Sequence, residues 1–452
     1  MKNAFTGWRY LWKSQDIRRK LLVTLLLLVV FRLAASIPVP GINTEALKQL
    51  VQSSTSGFFA FLDLLSGGTV SNFSLLSMGV YPYITAQIII QLLVPIFPAL
   101  QRRMEEDPRE GRKLQEKWTY YLAVPMATLS AIGQINLINS SSAVQIVPYG
   151  FTAEMWLPSL AILLSMVGGT MFAIWLGELI SEYGIRGQGL SLIIFAGIVA
   201  KIPQNFGSLL LDEQNGWILV LAMIIVMVAV IFAIVYVQQG RRYVPVMYPG
   251  RRVGNRMSMP VKGTLPLMVN LAGMIPLIFA SAMLQFPTLV AGWMLRSTNE
   301  GVVSFATKMQ GIFSGTGVNS WIYWLLYFVF VVALSFFYTD VLFTQQNYGE
   351  NLKKTGAQIP GVNRGAPTQK YLTKVQRRIT LPGAFFLGVV AILPYLIGLV
   401  LKAFGLSTGN STTLFLTTSS GLLIVVGVVR DTFMNIDAEL KLHGYDDAKL
   451  IK

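Results

Sequence analysis

The chain has 452 residues, 53% hydrophobic and 13% charged, with a net charge of +15, no cysteine and one histidine, His443. Soluble domains carry about 25% charged residues, so most of this chain belongs in lipid; a disulfide framework, a thiolate metal site and a multi-histidine site are excluded, and no cofactor is expected. The basic excess suits the cytoplasmic loops of a membrane protein before it suits a nucleic-acid binder, and the places where Lys and Arg fall decide between the two.

A helix needs about 20 apolar residues to cross a ~30 Å hydrocarbon core. The first candidate, Lys20 to Ile37, follows a basic N-terminus and runs into Ser36-Ile-Pro-Val-Pro-Gly41 without a small-x-small cleavage site, so it reads as a retained span. Gly57 to Thr69 comes next, apolar but too short to cross, and reads as a re-entrant half-helix or as a helix in the outer interface. Nine further candidates follow: Phe73 to Pro98, Trp118 to Ile138, Met155 to Leu176, a short Leu190 to Ile202, Trp217 to Val237, Leu265 to Phe286, Trp321 to Phe343, Leu381 to Phe404 and Leu414 to Val429. Trp118, Trp156, Trp175, Trp217, Trp293 and Trp321 fall near span ends, where indoles favour the headgroup layer.

Basic clusters occupy the N-terminus, the second-to-third connection (Arg102 to Lys117), the sixth-to-seventh (Arg241 to Lys262) and the eighth-to-ninth (Lys353 to Arg378). The alternate connections carry only Lys48, Lys201, Arg296, Lys308 and Lys402, so about thirty of the 36 basic residues share one face. That face is cytoplasmic by the positive-inside rule, which places both termini inside, and the parity requires ten spans. Apart from Arg32, Asp63 and residues near span ends such as Glu178 and Asp340, the spans carry no charge, which disfavours a proton- or sodium-coupled carrier. No phosphate-cradling Gly-x-x-x-x-Gly-Lys-Ser/Thr run exists, and Glu178 and Glu182, one turn apart at a cytoplasmic helix end, read as solvated, so no enzyme is expected. Residues 1–210 and 211–452 would each hold five spans, so if the halves are repeats they are inverted, as in many transport folds. On these grounds alone a small-molecule carrier of that architecture remains open.

The stretch Ser74-Leu-Leu-Ser-Met-Gly-Val-Tyr-Pro-Tyr-Ile-Thr-Ala-Gln-Ile-Ile-Ile-Gln91 resembles the second-helix signature of the SecY family of protein-translocation channel subunits. Further matches follow in family order: Trp175 to Glu182, Ser191 to Ala200, Leu265 to Ala280, Glu350-Asn-Leu-Lys-Lys354 with Ile359-Pro-Gly361 and Tyr371 to Val375, and Gly421 to Gly427. The resemblance implies an all-α polytopic fold of ten transmembrane helices in two inverted halves around an hourglass pore. It implies a plug before the second span, at roughly 57–71, including Phe61, Leu62, Leu64, Leu65, Gly67 and Gly68. It also implies an aliphatic pore ring at Val80, Ile84, Ile194, Ile198, Ile275, Ile278 and Ile424, and a lateral gate with polar positions Thr85, Gln134 and Asn270.

The same resemblance makes the basic loops 238–264 and 344–380 docking sites for the ATPase SecA and for ribosomal RNA, through Arg241, Arg242, Arg251, Arg252, Arg364 and Lys374. Here the chain departs from the family: Ile359-Pro-Gly-Val-Asn-Arg-Gly365 stands where Ile-Pro-Gly-Ile-Arg-Pro-Gly is usual, so Arg364 is displaced by one place. The implied function is passage of unfolded polypeptide outward and release of signal sequences and transmembrane segments into membrane lipid. Implied partners are SecE-like and SecG-like subunits, with the bacterial plasma membrane as the location.

Overall fold

The structure is a computed structural model, and it describes residues 14–43, 45–47, 69, 73–94, 97, 107–140, 146–150, 155–210, 216–249, 252–253, 256–257, 259, 261–295, 299–313, 320–403 and 409–442. It is helical, as expected. In chain order the helices are α1 (Gln15–Ala35), α2 (Tyr81–Leu93), α3 (Pro108–Ser140), α4 (Trp156–Tyr183), α5 (Gly189–Leu210), α6 (Gly216–Gln239), α7 (Ile275–Met294), α8 (Glu300–Phe313), α9 (Ser320–Gln346), α10 (Tyr348–Lys354), α11 (Ala366–Ala403) and α12 (Gly409–Leu442). Between α6 and α7 lie four strands, β1 (Arg241–Tyr248), β2 (Arg252–Val253), β3 (Arg256–Met257) and β4 (Val261–Met268). Among the described residues Trp156–Tyr183, Ile275–Gly292, Trp321–Lys354 and Ala366–Leu393 are long and apolar enough to cross a membrane, with shorter apolar helices at Gly189–Ala200 and Met223–Gln239.

Two compact units emerge from the packing: Met1–Ile225 with Ala282–Tyr323 and Pro394–Lys452, and Val226–Ser281 with Trp324–Leu393. In the first, α3 packs against α2 and α4, α4 against α5, α1 against α4 and α5, and α12 against α5. The reason is legible along α3, where Thr119, Ala123, Ala127, Ala131 and Ile135 recur every fourth residue and are all buried. Lipid offers helices no hydrophobic drive toward one another, so association depends on close van der Waals approach, which small residues permit. Ala123 meets Tyr83, Ala86 and Ile174, while Ala127, Ala131 and Ile135 share a core with Phe73, Met78, Ile162 and Met166. The opposite face of α3 leaves Trp118, Tyr121, Val124 and Leu129 exposed, an arrangement suited to acyl chains. Lys20 of α1 pairs with Glu439 of α12 and, at 3.2 Å, with Asp16.

The second unit departs from the sequence reading. The connection after α6 is a ribbon, with β1 and β4 antiparallel from Arg241↔Met268 to Tyr248↔Val261 and β2 paired to β3 at its tip. Pro245 and Pro266 lie inside it because both strands are edges and either can forgo an N–H bond. Strand β4 therefore uses residues assigned by sequence to the seventh span, whose helix starts at Ile275 rather than Leu265. Likewise the second span is helical only from Tyr81, after a run of turns at 75–80.

Candidate functional site

Two local breaks set the positions of the predicted ring. Gly79-Val-Tyr-Pro-Tyr-Ile84 and Gly273-Met-Ile-Pro-Leu-Ile278 share the pattern Gly-x-x-Pro-x-Ile, and the two glycines have φ of +53° and +64°. Such a φ is open to glycine at little cost, and at Gly273 nothing lies within 4 Å of where a Cβ would stand, so φ alone demands the glycine there. The prolines enter the first turn of α2 and α7, where a missing N–H costs nothing and a fixed φ favours the helix. Each isoleucine amide then closes the first turn, Ile84 N–H on the Val80 carbonyl at 3.1 Å and Ile278 N–H on the Met274 carbonyl at 3.4 Å. The spacing of glycine and proline to the isoleucine is the same in the two segments, a signal present in the sequence alone.

Of the ring positions, Val80, Ile84, Ile194, Ile198 and Ile424 belong to the first unit and Ile275 and Ile278 to the second. Val80, Ile194, Ile198, Ile278 and Ile424 are buried, Ile84 and Ile275 half-buried. Ile194 and Ile198 lie one turn apart on α5, the helix against which α12, carrying Ile424, packs. The gate residues are all buried, but two spend their donors at home: the Thr85 hydroxyl donates to the Pro82 carbonyl at 2.9 Å, and the Asn270 amide donates to the Gly273 carbonyl at 3.1 Å, bracing the turn before α7. Gln134 differs, since its Oε1 is buried with no donor among the described residues. A buried acceptor left unmet costs about 1–3 kcal/mol, so this group is poised to accept a bond. The plug positions Phe61, Leu62, Leu64, Leu65, Gly67 and Gly68 lie outside the described residues. Next to them Thr69 is buried, its hydroxyl donating to the Leu76 carbonyl at 2.7 Å.

The two basic loops form one platform. Val244, Val246 and Leu267 of the ribbon share a core with Leu352, Ala357, Ile359, Leu372, Val375 and Ile379. Main-chain bonds between Met247 and Gln358, at 2.8 and 2.9 Å, join the two segments directly. Arg241 and Arg242 start β1 and are exposed; Arg364 is exposed at the turn between Gly361 and Gly365, with φ of +79° and +88°. Arg252 contributes its backbone to β2, and Arg251 lies outside the described residues. Lys374 is exposed on α11 and lines a cavity of about 890 Å³ with Lys353, Lys370, Arg377, Arg378 and Glu350. Arg377 is held by both carboxylate oxygens of Asp340, at 2.8–3.1 Å.

A family model described as SecY matches residues 74–433. The protein translocase subunit SecY of Mycobacterium leprae (strain TN) is 36% identical over 443 residues, 96% of this chain and 97% of that one. The subunit of the same name from Aquifex aeolicus (strain VF5) is 37% identical over 436 residues, covering 95% and 96%. Among solved structures, one described as a protein conducting channel superposes with a TM-score of 0.62 at 18% identity, covering 96% of this chain and 95% of that one. Another, described as concerning the plug domain of SecY and the closed state of the translocation channel, gives 0.60 at 18% identity and the same coverage. The two structural matches establish the fold, and the two sequence matches extend the likeness over nearly every residue.

Proposed function

The chain belongs to the SecY family, and from that premise we infer that it is the central subunit of a protein-conducting channel, moving unfolded polypeptides across a membrane and releasing hydrophobic segments into lipid. It is a channel component and not an enzyme. One observation carries this reading: identity of 36–37% to protein translocase subunits over 95–96% of the chain. The local chemistry agrees with it. Val80, Ile84, Ile194, Ile198, Ile275, Ile278 and Ile424 would line the constriction, where an aliphatic ring dewets and resists ions yet can part around side chains of any kind.

The finer features of the reading are ten spans in inverted halves, residues 1–210 and 211–452, and a plug at about 57–71 closing the pore from outside. Thr85, Gln134 and Asn270 form the polar part of a lateral gate; with Thr85 and Asn270 bonded inside their own segments, an incoming signal sequence has few interhelical bonds, each worth about 0.6–2 kcal/mol, to displace. The Gln134 acceptor, unmet among the described residues, suits such an exchange. The platform carrying Arg241, Arg242, Arg252, Arg364 and Lys374, with Arg251, docks SecA or the ribosome, since exposed cations on a rigid base bind RNA phosphates or acidic surfaces with a salt-sensitive affinity. SecE-like and SecG-like helices complete the assembly, in the bacterial plasma membrane with both termini cytoplasmic. The test is site-specific crosslinking from Ile84 and Ile278 to a secretory precursor stalled during SecA- and ATP-driven translocation. ATP-dependent crosslinks to the mature region of the precursor are expected; with stalling confirmed independently, silence at both positions overturns the assignment of the ring.

A further inference from the structure

The last residues of the ribbon run directly into the turn that starts α7. In an antiparallel ladder, bonded and non-bonded pairs alternate. Met247 gives its N–H and C=O to Gln358, away from β4, so Met247↔Lys262 is a non-bonded pair and, since every second pair is of the same kind, so is Arg241↔Met268. The Met268 carbonyl therefore faces outward from the ladder. One further bond, from the Val269 N–H to the Gly240 carbonyl at 3.0 Å, continues the pairing, but the Gly240 N–H turns back to the Val237 carbonyl at 3.1 Å. The ladder thus stops halfway through that pair, and a turn at 269–274 leads to Ile275, where α7 begins.

The group that holds the outward carbonyl comes from α11. Gln376, Thr380 and Gly383 are spaced four and three residues apart, which puts them on one stripe of that helix, and all three are buried. The Gln376 Nε2 donates to the Met268 carbonyl at 3.0 Å and to the Thr380 hydroxyl oxygen at 3.3 Å. A carbonyl only accepts, so the nitrogen of the side-chain amide faces Met268 and its oxygen points elsewhere. That oxygen is buried with no donor among the described residues. Gly383 completes the seat, since a Cβ there would stand 2.7 Å from the Val269 carbonyl oxygen. A buried acceptor without a donor is destabilising, and an apolar side chain of the same length would avoid it. Gln376 is thus a poor choice for stability alone, whereas its amide can fix the carbonyl of an arriving strand at one place.

We propose that Gln376 is a positioning residue for the channel: its bond to Met268 anchors the start of α7 on α11 and so sets the resting place of Ile275 and Ile278 in the constriction. This inference rests on the channel reading given above. The link from anchor to ring is stiff, because the Asn270 amide braces the Gly273 carbonyl at 3.1 Å and the Ile278 N–H closes on the Met274 carbonyl at 3.4 Å. Displacement at one end of such a bonded segment is passed to the other. With the anchor bond made, α7 starts at one height. With it broken, β4 keeps its ladder to β1 while the turn and the first turn of α7 are free to shift.

Hydrogen exchange read by mass spectrometry on the full chain in nanodiscs, paired with resting conductance in planar bilayers, tests this. Gln376→Met keeps the length of the side chain and removes both the donor and the unmet acceptor, so the unfolding temperature should stay near that of the wild type. The amides of Val269, Leu277 and Ile278 should exchange about five-fold faster, the equivalent of one lost hydrogen bond. Those of Met247 and Gln358, at the other end of the ribbon, should keep their rates, and resting conductance should rise several-fold as the apolar constriction is displaced. Thr380→Val leaves the bond to Met268 in place and should match the wild type in both readouts. Unchanged exchange at 269–278 in Gln376→Met overturns the anchor. So does a lowered unfolding temperature with exchange quickened equally at Met247 and Gln358, because the residue is then only part of the core. Quickened exchange at 269–278 with wild-type conductance overturns the positioning role. A conductance rise in Ile84→Ser/Ile278→Ser under the same conditions shows that the channel reading survives that failure, and a flat response there too shows that the ring has failed and the positioning role with it.

Discussion

Gly168 and Gly169 are neighbours on α4 under opposite constraints. A Cβ at Gly169 would stand 1.9 Å from the Leu75 carbonyl oxygen, in the turn that precedes α2, whereas a Cβ at Gly168 would meet nothing within 4 Å. Gly169→Ala should therefore destabilise the protein by about 1–3 kcal/mol through backbone overpacking. Gly168→Ala should stabilise it by about 0.5–1 kcal/mol, because alanine surrenders less backbone freedom in a helix. Thermal unfolding in detergent, read by fluorescence, checks the ordering, and an equal response at both positions would contradict this account of the α4 packing. No sequence argument separates these two residues, since the difference lies in what a distant turn places against one of them. The positive-φ glycines are the opposite case: Gly79 and Gly273 each precede a proline by three residues and an isoleucine by five, so the device was legible in spacing alone. If those isoleucines belong to the constriction, Ile84→Ser with Ile278→Ser should raise resting ion conductance in planar bilayers several-fold, by wetting an apolar passage. An unchanged conductance would remove both from the ring.

At the scale of elements, the ribbon and the segment around Gln358 act as a single body. Their joint core is buried on one side of β1 while the other side is open, with Val244 4% and Tyr243 60% exposed. Val244→Asp should loosen the whole platform, since an unpaired carboxylate cannot be buried among Leu267, Leu372 and Ile379 without a cost of several kcal/mol. Tyr243→Asp should leave it intact. Limited proteolysis reads this directly: Val244→Asp should open cleavage sites in 357–365 as well as in the ribbon, and cleavage confined to the ribbon would show that the two segments are independent. If the platform docks SecA or the ribosome as proposed, Arg241→Ser/Arg242→Ser should weaken that binding and flatten its salt dependence, because fewer counterions are released on association. Binding by that variant at wild-type strength and slope would count against the arginine pair. Sequence reading found the charges of this platform and missed its architecture for a physical reason. The buried face of β1 is two valines flanking Pro245, too short an alternation to outweigh a residue that ordinarily ends strands.

For the whole molecule, composition decides the most and local pattern the least. With 53% hydrophobic residues and an exposed face of Leu22, Leu25, Leu26, Val29 and Leu33 on α1 alone, no aqueous fold is available. The candidate spans coincide with helices wherever apolar runs are unbroken, and differ where Gly79 and Gly273 delay the start of α2 and α7. Orientation rests on a separate physical argument, the restriction of about thirty of the 36 basic residues to the termini and connections of one face. Retaining that many cations on one side outweighs any single loop, because each Lys or Arg near a span end resists transfer across the membrane. The absence of cysteine from the sequence makes this testable without a background signal. Single replacements Arg241→Cys, Arg364→Cys and Lys308→Cys fall at exposed positions, the first two in the platform and the third on α8. In intact bacterial cells, a membrane-impermeant maleimide should label Lys308→Cys at once and the other two only after permeabilisation. Ten spans with both termini inside require that pattern, since without the crossing between them, Trp321 to Phe343, positions 308 and 364 would lie on the same side. Labelling of Arg241→Cys and Arg364→Cys from outside with Lys308→Cys protected would invert the topology and take the platform away from any cytoplasmic partner. Labelling of 308 and 364 together would break the parity from which the two inverted halves were argued.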